Sequence, residues 1–214
     1  MTEIKNTNET TNDSTEKTPK VNLTALASKQ VKKTIELIDQ QGKKTGKKVD
    51  ITMEEVDWET RLRIDDLQNV GNNLTDQGEL SRQLLENVLV NPRLDFEYMN
   101  EQIEAAGYGK KSLTFVGKDG KKHKYDVIFP GYGDALNILS ETQGVDGAFN
   151  FLGFFTDVNR FVVRDTKGNP VNFNFWDKAE NLYDVHGDIT KFLREATSVN
   201  GYLQIIGELR SFLG

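Results

Sequence analysis

The chain has 214 residues, 28% of them charged and 36% hydrophobic, with a formal charge of −6 at neutral pH; this suits one large domain or two small ones around a modest core. No apolar run approaches the ~20 residues that span a bilayer, and the lack of cysteine removes disulfides, thiol nucleophiles and thiolate zinc sites. The acidic balance argues against a general nucleic-acid binder, and no apolar signal-like core near Met1 marks the chain for secretion.

Residues 1–20 are rich in Thr, Asn, Glu and Lys, with Ile4 as the one large apolar side chain after Met1. They bury too little to offset ordering entropy and are expected to form a disordered arm. A first module is expected over 21–107. It opens with a short helix over Val21 to Gln30, where Leu23, Leu26 and Ala27 share a face. Ile35 and Leu37, then Val49, Ile51 and Met53, alternate with polar residues as the two strands of a β-hairpin should. Leu62, Ile64, Leu67 and Val70 recur at helical spacing after Trp58. Leu80, Leu84, Leu85, Val88 and Leu89 make a cleaner helical stripe. Asn91-Pro92 should end it, because the residue before proline avoids the α region. Asp95 is placed to N-cap a helix carrying Phe96, Met99 and Ile103, and Gly107-Tyr108-Gly109 closes the module as a linker.

The same order then recurs. Lys33-Thr34-Ile35-Glu36-Leu37 reads against Lys111-Ser112-Leu113-Thr114-Phe115, and Leu94 to Asn100 read against Val171 to Asp177 at a constant offset of 77. This predicts a diverged copy of the module over 108–184. Its hairpin turns at Lys118-Asp119-Gly120-Lys121, where Asp-Gly is a strong turn signal. A helix follows at Ala135, Leu136, Ile138 and Leu139, then a long apolar segment from Phe149 to Val163. Asp165 to Pro170 forms a longer turn, and a helix from about Asn172 carries Phe173, Trp176 and Leu182. Residues 185–214 have no counterpart in the first copy. Ile189, Phe192, Leu193 and Ala196 mark one helix and Tyr202 to Leu213 another, and both are expected to pack on the second module. The expected fold class is therefore α+β and helix-rich: two tandem modules, each a β-hairpin followed by about three helices, closed by a C-terminal helical pair. The expected core includes Leu84, Leu85, Val88, Phe96, Leu136, Leu139, Val162, Phe173 and Trp176.

Reacting groups are sparse. His123 falls in a lysine-rich turn, where it reads as a surface residue. His186 falls before Gly187-Asp188, read as a loop with Asp188 capping the next helix. Without cysteine or a GxSxG motif, a nucleophile–histidine–acid set has no anchor, so no catalytic residue is assigned and the chain is expected not to be an enzyme. Glu54, Glu55, Asp57 and Glu59 cluster ahead of Asp65-Asp66, where acids in a first helical turn suit the helix dipole. No calcium-loop or helical metal motif accompanies them, so neither a metal nor a cofactor is expected. Gly109-Lys110-Lys111-Ser112 fails the phosphate-loop pattern because Gly-Lys is not followed directly by Ser or Thr. Each hairpin carries six lysines. They read first as solvating turns and guarding strand edges, and second as contacts for phosphates.

Phe149-Asn150-Phe151-Leu152-Gly153-Phe154-Phe155 is the strongest functional lead. On a helical wheel Phe149 to Val162 cover roughly 240° and Leu80 to Leu89 roughly 180°. The excess fits either a central helix packed against the C-terminal helices or an apolar patch that a partner covers. Under the second reading the partner-binding residues are Phe151, Phe154 and Phe155, with Ile206 and Phe212 on the final helix.

A lysine-rich hairpin, helices, and the run Leu84-Leu85-Glu86-Asn87-Val88-Leu89-Val90-Asn91-Pro92-Arg93-Leu94-Asp95-Phe96 together resemble the tail assembly chaperones of long-tailed, siphovirus-like bacteriophages. The likeness is strongest over 32–105 and weaker over 110–184. It implies a non-enzymatic protein of the host bacterial cytoplasm that binds the aggregation-prone tape measure protein and promotes polymerisation of tail tube protein around it. Such a chaperone leaves before the tail is complete. Two alternatives stand beside it: a structural tail or neck protein of the virion, for which a duplicated domain suits assembly of several copies, and a nucleic-acid-binding module using the lysine hairpins.

Overall fold

The computed structural model describes residues 29–39, 42–68, 76–141 and 150–214. The arm over 1–20, most of the helix expected over Val21 to Gln30, and Val70 and Phe149 lie outside the described residues.

The architecture is α+β and helix-rich. Strands β1 (Gln30–Ile38) and β2 (Lys44–Glu54) form an antiparallel hairpin, followed by α1 (Trp58–Leu67) and α2 (Gln77–Asn87). Strand β3 (Leu89–Asn91) then returns to pair with β2, and α3 (Phe96–Ile103) completes the first unit. The order repeats as β4 (Lys110–Val116), β5 (Lys122–Ile128), α4 (Tyr132–Glu141), α5 (Phe151–Asp157), β6 (Val163–Arg164) and α6 (Phe173–Trp176). Two three-stranded sheets result, ordered β1-β2-β3 and β4-β5-β6. Helices α7 (Leu182–Thr197) and α8 (Tyr202–Leu213) end the chain.

The third strand of each sheet fixes how the two copies correspond. Met53 pairs with Leu89, and Val127 pairs with Val163, an offset of 74 on both sides. The same offset carries α1 onto α4 (Trp58 onto Tyr132, Leu67 onto Glu141) and the α2 cap Asp76 onto the α5 cap Asn150. Buried residues then coincide one by one: Leu80 with Phe154, Ser81 with Phe155, Leu84 with Val158, Leu85 with Asn159 and Val88 with Val162. After β6 the insertion Asp165 to Asn169 folds on itself, the Asp165 carboxylate accepting from the Lys167 and Asn169 backbone N–H groups at 2.8 and 2.9 Å. From there the offset is 77, setting the α3 cap Asp95 onto Asn172. In the hairpin, Ile35 opposite Val49 corresponds to Phe115 opposite His123, one pleat away from the pairing of Lys33–Leu37 with Lys111–Phe115 expected from sequence. Period-two alternation looks the same after a two-residue slip.

Strands β3 and β6 escape the sequence reading because two or three residues carry no periodicity. Leu89 and Val90 look like the end of the α2 stripe, yet the helix stops at Asn87 and Leu89 enters the sheet. The wide arc of Phe149 to Val162 has a related cause. Helix α5 ends at Asp157, and Val158 to Val162 wind as a π-helical turn into β6, so the 100° wheel no longer describes where those side chains point. Asp188 and His186 lie inside α7, which starts at Leu182 with the Asn181 side chain accepting from the Tyr183 N–H; Asp188 is no cap.

Each sheet has its own apolar core. In the first, Ile35, Ile51, Met53, Leu84, Val88 and Met99 pack with Ile205 and Leu209 of α8. In the second, Phe115, Tyr125, Val127, Phe154 and Trp176 pack with Ile189 and Phe192 of α7. The expectation that both C-terminal helices pack on the second module is thus corrected: α7 does, and α8 crosses back to the first. The α7–α8 turn, where Asn200 and Gly201 both take positive φ, reverses the chain toward β1. Here the Gln204 side chain accepts from the Ile38 N–H and donates to the Ile38 carbonyl at 3.3 and 3.1 Å. Its amide stands in for a strand's peptide group at the open edge of β1. Of the expected core, Leu84, Leu85, Val88, Leu136, Val162 and Trp176 are buried, Phe96 and Leu139 are partly buried, and Phe173 is exposed.

The two units meet where α4 lies across α2 and α3. Gly78 and Gly133 face each other so closely that a Cβ on Gly78 would stand 2.9 Å from the Gly133 carbonyl oxygen. The polar groups at this crossing are matched. Gly78 N–H donates to Asn137 Oδ1 (2.9 Å), Asn137 Nδ2 donates to the α2 cap Asp76 (3.1 Å), and Tyr132 N–H at the start of α4 donates to Asn100 Oδ1 on α3 (2.9 Å). The ring of Tyr132 is fully buried against Phe96 and Tyr202, and its hydroxyl donates to the Thr197 carbonyl at 3.1 Å. Gly131-Tyr132-Gly133, at the start of α4, thus lies in the seam between the units.

Candidate functional site

Two grooves among the described residues carry exposed apolar side chains. The larger, about 810 Å³, runs between the first hairpin, α3 and the α7–α8 turn, with Leu37, Ile38, Leu94, Tyr98 and Tyr108 along it and Lys47, Lys48 and Glu195 at its border. Ile38 and Tyr98 are each nearly half exposed there. The second, about 700 Å³, is bounded by α5, α6 and the first turn of α7. Its walls include Phe151, Phe155 and Trp176, and its polar border is Lys118, Asp177, Glu180 and Asn181. Leu152 and Tyr183 stand 69% and 70% exposed at its rim, joined by Phe173 and Leu182.

The local sequence explains why α5 turns apolar groups outward. With Asn150 as N-cap, its side chain accepting from the Gly153 N–H at 3.0 Å, Phe154, Phe155 and Val158 fall on the inward face and Leu152 on the outward one. Phe154 is fully buried against the rings of Phe155 and His186, and Phe155 is buried against Trp176. The structure therefore removes both as partner contacts and makes them core. Ile206 is likewise buried, facing the first sheet. Phe151 keeps part of its surface in the second groove, stacked edge-on with Tyr183 at 4.6 Å. Phe212 is partly buried beside Trp58 at the outer face of α1. The exposed positions that sequence reasoning missed are Leu152, Phe173, Leu182 and Tyr183. Aligning Phe173 with Phe96 was the available signal, but it suggested core, because Phe96 is covered by a neighbouring unit and Phe173 is not.

The histidines are dispersed. His123 lies on β5, stacked on Phe115 with Nε2 3.1 Å from Asp119 Oδ1. His186 sits half-buried on α7 with Nε2 3.0 Å from Thr190 Oγ1, and burial, then Arg194, holds its pKa below the ordinary value. Among the described residues no three His, Cys, Asp or Glu side chains converge as a metal set, and no described helix is long and apolar enough to cross a membrane. Four hairpin lysines are tied to carboxylates: Lys33 to Glu208, Lys44 to Glu36, Lys110 to Asp126 and Lys111 to Glu195. Compared with known proteins, the chain matches no family model, no curated protein and no solved structure.

Proposed function

We propose that this chain is a protein-binding assembly factor of the phage tail assembly chaperone kind, acting on the tape measure protein in the host bacterial cytoplasm while tail tube protein polymerises. The reading rests on apolar surface that the described residues leave open, chiefly the groove carrying Ile38 and Tyr98. A monomeric soluble domain seldom leaves contiguous apolar patches unless a partner covers them, and burial of such surface contributes about 25 cal/mol per Å². A groove of this kind holds a client reversibly and needs no reacting group. The test is co-expression with the tape measure protein encoded in the same genome. Tape measure protein that stays soluble with the native chain and aggregates with Tyr98→Asp supports the reading. Stoichiometric recovery of the chain from purified virions would overturn it in favour of a structural tail or neck protein.

A further inference from the structure

The seam between the two units uses one face of the first unit and one face of the second, and each unit also carries the unused counterpart. In the seam, Tyr132 and Leu136 of α4 are buried, the Tyr132 ring between Phe96 of α3 and Tyr202 of α8. Their equivalents on α1, at the offset of 74, are Trp58 and Leu62, which are 75% and 44% exposed. On the receiving side, Phe96 carries the Tyr132 ring at 5.5 Å and Asn100 accepts the Tyr132 N–H. Their equivalents, at the offset of 77, are Phe173 and Asp177, which lie exposed at the second groove. Among the described residues, the socket on the second unit thus stays open and the knob on the first stays unseated.

We infer that the second groove is the docking site for α1 of a second copy of this chain, so that copies join head to tail through a repetition of the internal seam. Trp58 of one copy then lies on Phe173 of the next, as Tyr132 lies on Phe96. Asp177 takes the role of Asn100 at the start of the incoming helix, where a carboxylate also suits the positive end of the helix dipole. On the docking face of α1, Arg63 is the counterpart of the seam residue Asn137 and is paired with Glu59 within the helix. Two substitutions set this joint apart from the internal one. Leu152 stands where the first unit has Gly78, and Glu59 where the second has Gly133, so copies meet side chain to side chain rather than backbone to backbone. The joint is consequently the looser of the two.

Because knob and socket are different surfaces, the contact is heterologous and propagates until a ring closes or a filament grows. This inference does not depend on the tail-assembly reading, which concerns the other groove. Sedimentation of the full chain from micromolar to millimolar concentration tests it. The native protein should grow in mass beyond a dimer, with the emission of Trp58 shifting to the blue. Trp58→Ala lacks the knob and Leu152→Asp lacks the socket; both residues are largely exposed, and unchanged thermal melts confirm folding. Each variant alone should remain monomeric, and their mixture should give a one-to-one dimer and nothing larger. A native chain that stays monomeric overturns the proposal, including the case in which the groove instead binds another protein. Variants that still assemble alone, or that fail to pair when mixed, overturn it equally.

Discussion

Helices α2 and α5 occupy the same place in the two units and bury the same positions, yet their outer faces differ. On α2, Arg82 bridges Glu79 and Glu86, and the N-terminal turn is sealed by Gly133 and Asn137 of α4. On α5 the corresponding surface is Phe151 and Leu152, open to the second groove. The burial constraint is shared because both helices face equivalent sheets. The outer faces diverge because α4 covers the start of α2, whereas among the described residues Leu152 of α5 stays exposed. A duplicated fold therefore leaves one terminal face without its internal partner, and there the chain shows what it offers to others.

The comparison can be broken most severely through the shared inward position. Phe154→Ala, at the counterpart of Leu80, should cost about 3–5 kcal/mol, read as a lowered midpoint in urea. Loss of binding with full stability would instead return this residue to the surface. The seam comes next. Gly78→Ala drives a Cβ into the Gly133 backbone and should cost about 1–3 kcal/mol, whereas Gly187→Ala in α7, which meets nothing within 4 Å, should stabilise by about 0.4–1 kcal/mol. Equal effects at the two glycines would mean that the seam is not tight. The smallest effect concerns His186, whose lowered pKa means that the unfolded chain binds its proton more readily. Its contribution is fully present above the ordinary value of 6.5 and is lost as pH falls from there through the lowered folded value. Melting temperatures of His186→Gln should therefore fall less steeply below that pH than those of the native chain. Parallel curves would show that the ring is solvated.

Much of the fold was legible from local chemistry. Asp95 as a cap, the Asp119-Gly120 turn and the Leu80-to-Val88 stripe each follow from short-range rules, and the repeat was visible from residues alone. What could not be read depends on distant partners. Nothing near Tyr202 says that α8 returns to the first sheet, since an apolar helix face fits either core. Phe96 and Phe173 look alike in sequence, and only the position of α4 makes one covered and the other exposed. In the segment singled out from the sequence, the most exposed side chain is not one of those named. Phe154 and Phe155 drew attention by number, while Leu152, which interrupts the aromatic run, is the residue that faces outward.

Photo-crosslinking from the two helices tests the central claim most directly. With a photoreactive phenylalanine in place of Leu152, the native assembly should yield a covalent dimer whose linked peptide contains Trp58 and Leu62 of another copy. The same group in place of Arg82 should yield none. Crosslinks from both helices alike, or from position 152 to a peptide other than α1, would contradict the head-to-tail arrangement.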